Sequence, residues 1–254
     1  GKVCEAVGWE SISVDMILPA THEVDIMDFN YKQYPKDYFD IVWASPPCVE
    51  YSKLQDGWLN RMRKGKLYTR EQQEIEMSEA DKLVLKSLEI IKYFNPSYWF
   101  IENPNGRLKD RKIMGDIPYY TVDYCMYSDW GYRKRTCIWT NKKDFIPRTC
   151  NKQCGNMVGN LHKTNLGNTE RKARSGGDAL TKYQRYRVPE NLLKSLFDLN
   201  NQKIDVKNTN KKKDTISNLI ALCRLCHNLA HDHKISKETL KNKLMEKIND
   251  YKKN

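Results

Sequence analysis

Cys48 closes the run Ser45-Pro46-Pro47-Cys48. Two successive prolines fix the backbone and remove two donors, so the thiol behind them is presented on a stiff turn. The apolar stretch before it, residues 39–45 (FDIVWAS), reads as a buried strand. In open α/β sheets ligands gather at the carboxyl ends of strands. A thiolate placed there can attack an electron-poor ring carbon. Glu102 takes the same station one strand later, because residues 98–101 (YWFI) read as a buried strand halted at Glu102-Asn103-Pro104. A carboxyl group beside the thiol can protonate or hydrogen-bond the ring under attack. Singly, each has a bland explanation, a buried cysteine or an acidic strand cap. Together, at the ends of consecutive strands with a helix between them, they are far more specific.

The elements that must position this pair alternate between strand and helix, the pattern of a parallel α/β sheet. Residues 12–17 (ISVDMI) form a first short strand signal. A long helix is expected from about Thr69 to Phe94, with Leu83, Leu85, Leu88, Ile90 and Ile91 on its apolar face and Asn95-Pro96 ending it. Two more strands are expected at residues 121–127 and 135–140, with Gly131 in the turn between them. Residues 141–177 are polar, short of apolar periodicity, and read as a loop-rich insert. Residues 188–199 return to helix, with Pro189 suited to the first turn. The reading gives a catalytic domain over residues 1–199, a polar Lys-rich linker over 200–214, and a small unit over 215–254.

Charge is divided unevenly along the 254 residues. Residues 1–140 carry 19 Lys and Arg against 21 Asp and Glu, whereas residues 141–254 carry 25 against 11, and the whole chain is at +12. A near-neutral first half with a basic second half suits a core that does chemistry and a region that meets a polyanion. No apolar run approaches the ~18–20 residues needed to cross a bilayer. No secretory signal opens the chain, so the expected location is cytoplasmic or nuclear.

Eight cysteines in a chain without such a signal argue against a disulfide framework. Cys150 and Cys154, with His162, form a C-x3-C-x7-H set in the polar insert, and Cys223 and Cys226 form a CxxC knuckle. Zinc suits both, since a loop with no core of its own gains much from a metal. Cys4, Cys125 and Cys137 lie in apolar or strand-like surroundings and read as packing residues.

Residues 44–48 (ASPPC) followed by Glu102-Asn103-Pro104 resemble the two catalytic motifs of the DNA cytosine-C5 methyltransferases, above all the compact phage and large-virus members. Residues 132–136 (YRKRT) resemble that family's arginine pair, with Arg133 and Arg135 as the two arginines and Gly131 where a glutamine is usual. Residues 8–17 (GWESISVDMI) resemble the segment after the family's glycine-rich loop, and residues 179–199 resemble its closing motifs. The resemblance spans about residues 1–199, in the family's order. Val49 and Pro104 depart from the usual glutamine and valine. The glycine-rich loop itself is not in the sequence, and Gly1 is expected to be its last residue.

The resemblance implies a Rossmann-like, class I S-adenosylmethionine-dependent fold that acts on double-stranded DNA as a monomer. It implies Cys48, Glu102, Arg133 and Arg135 as catalytic residues. It also implies Asp15, Met16, Asp25, Ile26 and Pro46 as the cofactor-binding set, with Asp15 at the ribose and Asp25 at the adenine edge. Only about 35 residues separate the arginine strands from the closing motifs, so target recognition is expected to be short or relaxed. Residues 218–233 (NLIALCRLCHNLAHDH) resemble the second half of an HNH endonuclease finger, with Asn218 at the central asparagine and His227 or His231 at the final histidine. The leading half of such a finger is missing, which implies a remnant rather than a working nuclease. A catalytically inactive DNA-binding relic, a nuclease-linked restriction module and an RNA-directed enzyme are the alternatives.

Overall fold

The computed structural model describes residues 2–16, 19–63, 65–166, 180–199 and 218–222. In chain order the elements are α1 (Lys2–Glu5), β1 (Glu10–Val14), β2 (Ile41–Ala44), β3 (Met62–Arg63), β4 (Lys66–Leu67) and α2 (Arg70–Phe94). They continue with β5 (Tyr98–Pro104), β6 (Tyr119–Asp123), β7 (Arg135–Thr140), β8 (Met157–Val158), β9 (Leu161–His162), α3 (Lys182–Tyr186), α4 (Glu190–Leu196) and β10 (Asn218–Leu222).

Six strands form a mixed sheet in the order β1-β10-β2-β5-β7-β6. β1, β10, β2 and β5 are mutually parallel, and β7 runs antiparallel to both β5 and β6. The expected α/β domain is therefore present, with one reversed strand that lets β6 and β7 meet as a hairpin. The order also departs from the expected division of the chain. Asn218, read as the head of a separate cysteine unit, instead opens β10 between β1 and β2. Ile220 is fully buried there. The short apolar run NLIAL suits an interior parallel strand, whose two faces are both covered.

Strand alternation sends side chains to two cores. Val42, Ala44, Ile101 and Trp139 pack with Val84, Ile90 and Phe94 of α2 on one face. Ile41, Trp43, Phe100 and Ile138 pack with Leu192, Leu196 and Phe197 on the other. The chain thus makes three layers, with α2 on one side and the α1–α4 pair on the other. α2 starts where its sequence signal lies, because the Thr69 hydroxyl accepts from Gln72 N at 3.1 Å. It stops at Asn95, whose φ of 44° is the left-handed conformation that ends helices. β1 begins two residues earlier than expected and ends at Val14, which places Asp15 just beyond the strand. No helix among the described residues is long and apolar enough to cross a membrane.

Candidate active site

Cys48 follows β2 by four residues and is partly buried, while Pro46 and Pro47 before it are buried. The neighbouring parallel strand carries Glu102, fully buried, one register step beyond the Ala44–Ile101 pair. Asn103 joins the two segments, since its Nδ2 donates to the Pro46 carbonyl at 2.9 Å. A second tie lies just downstream. Arg107 N donates to the Tyr51 carbonyl at 2.8 Å, and the Arg107 guanidinium reaches the Ser52 carbonyl and Asp56. Gly106 lies so close to this junction that a Cβ would overlap the Tyr51 carbonyl oxygen. Tyr51 is itself fixed from α2, with its hydroxyl donating to Asp81 at 2.9 Å. The structure thus brings together the loops of Cys48 and Glu102, as the sequence pattern leads one to expect.

Two residues that the sequence pattern did not single out complete the surroundings of Glu102. The Tyr124 hydroxyl donates to Glu102 Oε1 at 2.9 Å, and Lys134 Nζ lies 3.7 Å from the same oxygen. Lys134 also sits over the Tyr124 ring, 4.7 Å from its centroid. Both are buried, so the carboxylate meets its partners away from bulk water, where such contacts are strongest. Lys134 lies between the two arginines of YRKRT, and alternation turns it to the opposite face from theirs.

Arg133 and Arg135 converge on Asp123 instead. Arg133 Nε donates to Asp123 Oδ1 at 3.0 Å, and Arg135 donates through Nε and Nη2 at 3.1 and 2.9 Å. Cys150 N adds a fourth donor at 2.8 Å. Burial pushes the Asp123 carboxyl up, but Arg135, Arg133 and the Cys150 N–H outweigh it and hold it below the usual carboxylate range. Both arginine side chains stay partly exposed, at 34% and 41%, so they remain within reach of a ligand.

Of the residues that the resemblance assigned to the cofactor, Asp15 is buried just past the end of β1, with Met16 beside it. Asp25 and Ile26 are partly buried in the loop that follows, where Asp25 Oδ1 accepts from Met27 N at 2.9 Å. Together with Pro46 these residues lie beyond the carboxyl ends of β1 and β2, the expected side of the sheet. A carboxylate suits a ribose diol, and a carboxylate with an aliphatic neighbour suits an adenine edge and face, so this set fits the nucleoside half of S-adenosylmethionine.

Cys150, Cys154 and His162 are brought together as expected, and Cys125 joins them. One ligand atom from each lies within 4.8 Å of all the others. Burial, followed by Arg133, lowers the His162 pKa, which favours the neutral imidazole. Burial drives the Cys125 thiol up. Cys125 carried no sequence signal, because it sits 25 positions from Cys150 in an apolar stretch and meets it only through the turn of the hairpin. Cys223, Cys226, His227 and His231 lie outside the described residues.

With this geometry in place, the comparisons with known proteins are specific. The family model for the C-5 cytosine-specific DNA methylases matches residues 15–253. The chain belongs to that family. A relative, the probable DNA (cytosine-5)-methyltransferase of Frog virus 3 (isolate Goorha), is 36% identical over 211 residues, covering 78% of this chain and 93% of the relative. The protein is thus an enzyme of the cytosine-5 DNA methylase family, and that family membership implies a DNA substrate. A concavity of 690 Å³ in this methylase lies elsewhere, lined by Ser128, Arg148, Asn156, Asn191 and Ser195 among others. Neither Cys48 nor Glu102 lines it. A site that closes around DNA need not form an enclosed hollow in the free protein.

Proposed function

We propose that this methylase transfers a methyl group from S-adenosylmethionine to C5 of a cytosine in double-stranded DNA, through a covalent adduct with Cys48, on a class I methyltransferase fold. The observation that carries the reading is the coupling of the Cys48 turn to Glu102-Asn103-Pro104 through the Asn103–Pro46 hydrogen bond. A stacked cytosine cannot reach a thiol at a strand end, so the base is flipped out, at a cost of about a few kcal/mol. The Cys48 thiolate forms a bond to C6 of the ring. Glu102, backed by Tyr124 and Lys134, holds the proton at N3 and stabilises the charge that the addition places on the ring. C5 thereby becomes nucleophilic. When bound, S-adenosylmethionine supplies a sulfonium-activated methyl group. Loss of the C5 proton to a base then lets the C6–sulfur bond break and returns Cys48 as the thiolate.

Asp15, Met16, Asp25, Ile26 and Pro46 hold the cofactor's nucleoside portion in this reading. Arg133 and Arg135, set by Asp123, anchor the flipped nucleotide by its phosphate, for which a planar guanidinium fork is suited.

The test uses duplex DNA carrying 5-fluorocytosine. Fluorine at C5 cannot leave as a proton does, so a working enzyme stops at the adduct. The expected result is a denaturant-stable protein–DNA complex that requires S-adenosylmethionine and disappears in Cys48→Ser. Normal DNA and cofactor binding without any trapped complex would overturn the covalent mechanism.

A further inference from the structure

The structure assigns Cys125, Cys150, Cys154 and His162 to a closed zinc site that folds the 146–166 segment and fixes it to the β6–β7 hairpin. Three independent features support it.

The first is the geometry. Cys150 Sγ lies 3.6 Å from Cys154 Sγ and 3.6 Å from His162 Nε2, and Cys154 Sγ lies 3.4 Å from His162 Nε2. A tetrahedral zinc ion with bonds of about 2.3 Å to sulfur and about 2.0–2.1 Å to nitrogen sets ligand separations of roughly 3.8 Å between sulfurs and 3.5 Å between sulfur and nitrogen. The observed separations match those edges. They are far longer than the ~2.05 Å of a disulfide, so the thiols are free to ligate.

The second is the absence of any other core. Between residues 146 and 166 only Cys150 and Asn156 are buried. Of its large apolar residues, Ile146, Val158 and Leu161 are 82%, 66% and 70% exposed, and Met157 and Leu166 are only partly buried. A segment that buries so little apolar surface cannot offset the entropy of its own ordering. A metal held by four protein ligands can.

The third is the way the segment is wired around the cluster. Lys152, at a left-handed φ of 70°, donates its N–H to Cys150 Sγ at 3.3 Å, so a backbone donor already faces the sulfur. Asn156 accepts from Gly131 N at 2.9 Å and donates to the carbonyls of Cys125 and Ser128 at 2.9 and 2.7 Å. The ligands therefore come from three places in the chain, the turn after β6, the Cys150–Cys154 knuckle and β9, and the same turn is stitched to the segment beside them.

Four protein ligands leave no position for water or substrate, so the site is structural rather than catalytic. Its consequence for the enzyme runs through Cys150. That ligand's own N–H is the fourth donor to Asp123, so metal binding sets the carboxylate that aligns Arg133 and Arg135. The set is complete without Cys223 and Cys226.

The experiment measures metal content and ligand type in the full chain and in a Cys223→Ser/Cys226→Ser double variant, both grown with zinc. The double variant is expected to keep one zinc per chain, with an X-ray absorption first shell of three sulfurs and one nitrogen. Adding Cys125→Ser or His162→Ala should remove that zinc, and proteolysis should then cut within residues 146–166 while the sheet stays protected. Cadmium-113 NMR of the unmutated chain, expected to give a resonance typical of three thiolates and one imidazole, gives the same answer if a variant does not fold. A double variant that retains no zinc, a shell with two sulfurs or four, or a Cys125→Ser variant that keeps its metal with an unchanged shell would each overturn the assignment.

Discussion

The Tyr124 hydroxyl donates to Glu102 while Asp123, its neighbour in the chain, receives both Arg133 and Arg135. Residues 133–135 mirror this, with Lys134 turned towards Glu102 and the two arginines towards Asp123. Two short segments of one hairpin thus serve two charged centres on opposite sides of the sheet, and an insertion of one residue in either would exchange the two sets.

Tyr124→Phe removes one donor to Glu102 and leaves the ring in place. The loss of a hydrogen bond to a charged group, about 1.5 kcal/mol, corresponds to roughly a tenfold fall in the rate of methyl transfer. Single-turnover kinetics should show this fall with DNA affinity unchanged. An unaltered rate would mean that Glu102 does not depend on Tyr124 in the transition state.

Asp123→Asn leaves two partly exposed guanidinium groups without their buried carboxylate, and losing these charge-assisted hydrogen bonds is expected to cost about 1.5–3 kcal/mol. The pH dependence follows from the depressed pKa of Asp123. A carboxyl with a lower pKa folded than unfolded stabilises the fold fully above its ordinary value of 3.8, and loses that contribution as pH falls through the depressed value. Urea midpoints should therefore fall more steeply in the native protein than in Asp123→Asn as pH drops from about 4 downwards.

Gly106→Ala drives a methyl group into the Tyr51 carbonyl oxygen, a backbone atom that cannot swing aside. Overpacking of this kind costs about 1–3 kcal/mol. Because the junction ties the Cys48 turn to Glu102-Asn103-Pro104, covalent trapping on fluorocytosine DNA should slow more than thermal stability falls. A variant that melts early yet traps at the native rate would show that the junction matters to folding alone.

Phe94→Ala empties a fully buried position at the end of α2, where Phe39, Tyr31 and Tyr93 pack edge-on around the ring. Chemical denaturation should register a loss of about 3–5 kcal/mol. Thr69→Ala at the other end of the same helix should cost about 1 kcal/mol, as expected for a lost cap.

Cys48 and Glu102 were legible because strand ends announce themselves, through apolar runs halted by proline. α2 was legible through its cap, its period and Asn95. Lys134 was hidden because a lysine between two arginines reads as more surface charge until strand alternation turns it inward. Cys125 was hidden because ligand spacing is informative only within one loop, and this ligand is joined to the others across a hairpin. Asn218–Leu222 was misleading for another reason. Its strand propensity was plain, but two cysteines immediately downstream drew the segment into a separate unit, and pairing between distant strands leaves no local mark.

The position of β10 also has a kinetic consequence. β1 and β2 do not pair with each other, and the strand that joins them arrives more than 170 positions after Ala44. During synthesis the sheet therefore stays in two parts, with the edges of β1 and β2 open, until residue 222 has left the ribosome. Closing so long a loop is slow. Refolding from denaturant should accordingly show a late phase, suppressed at high protein concentration by aggregation through those edges.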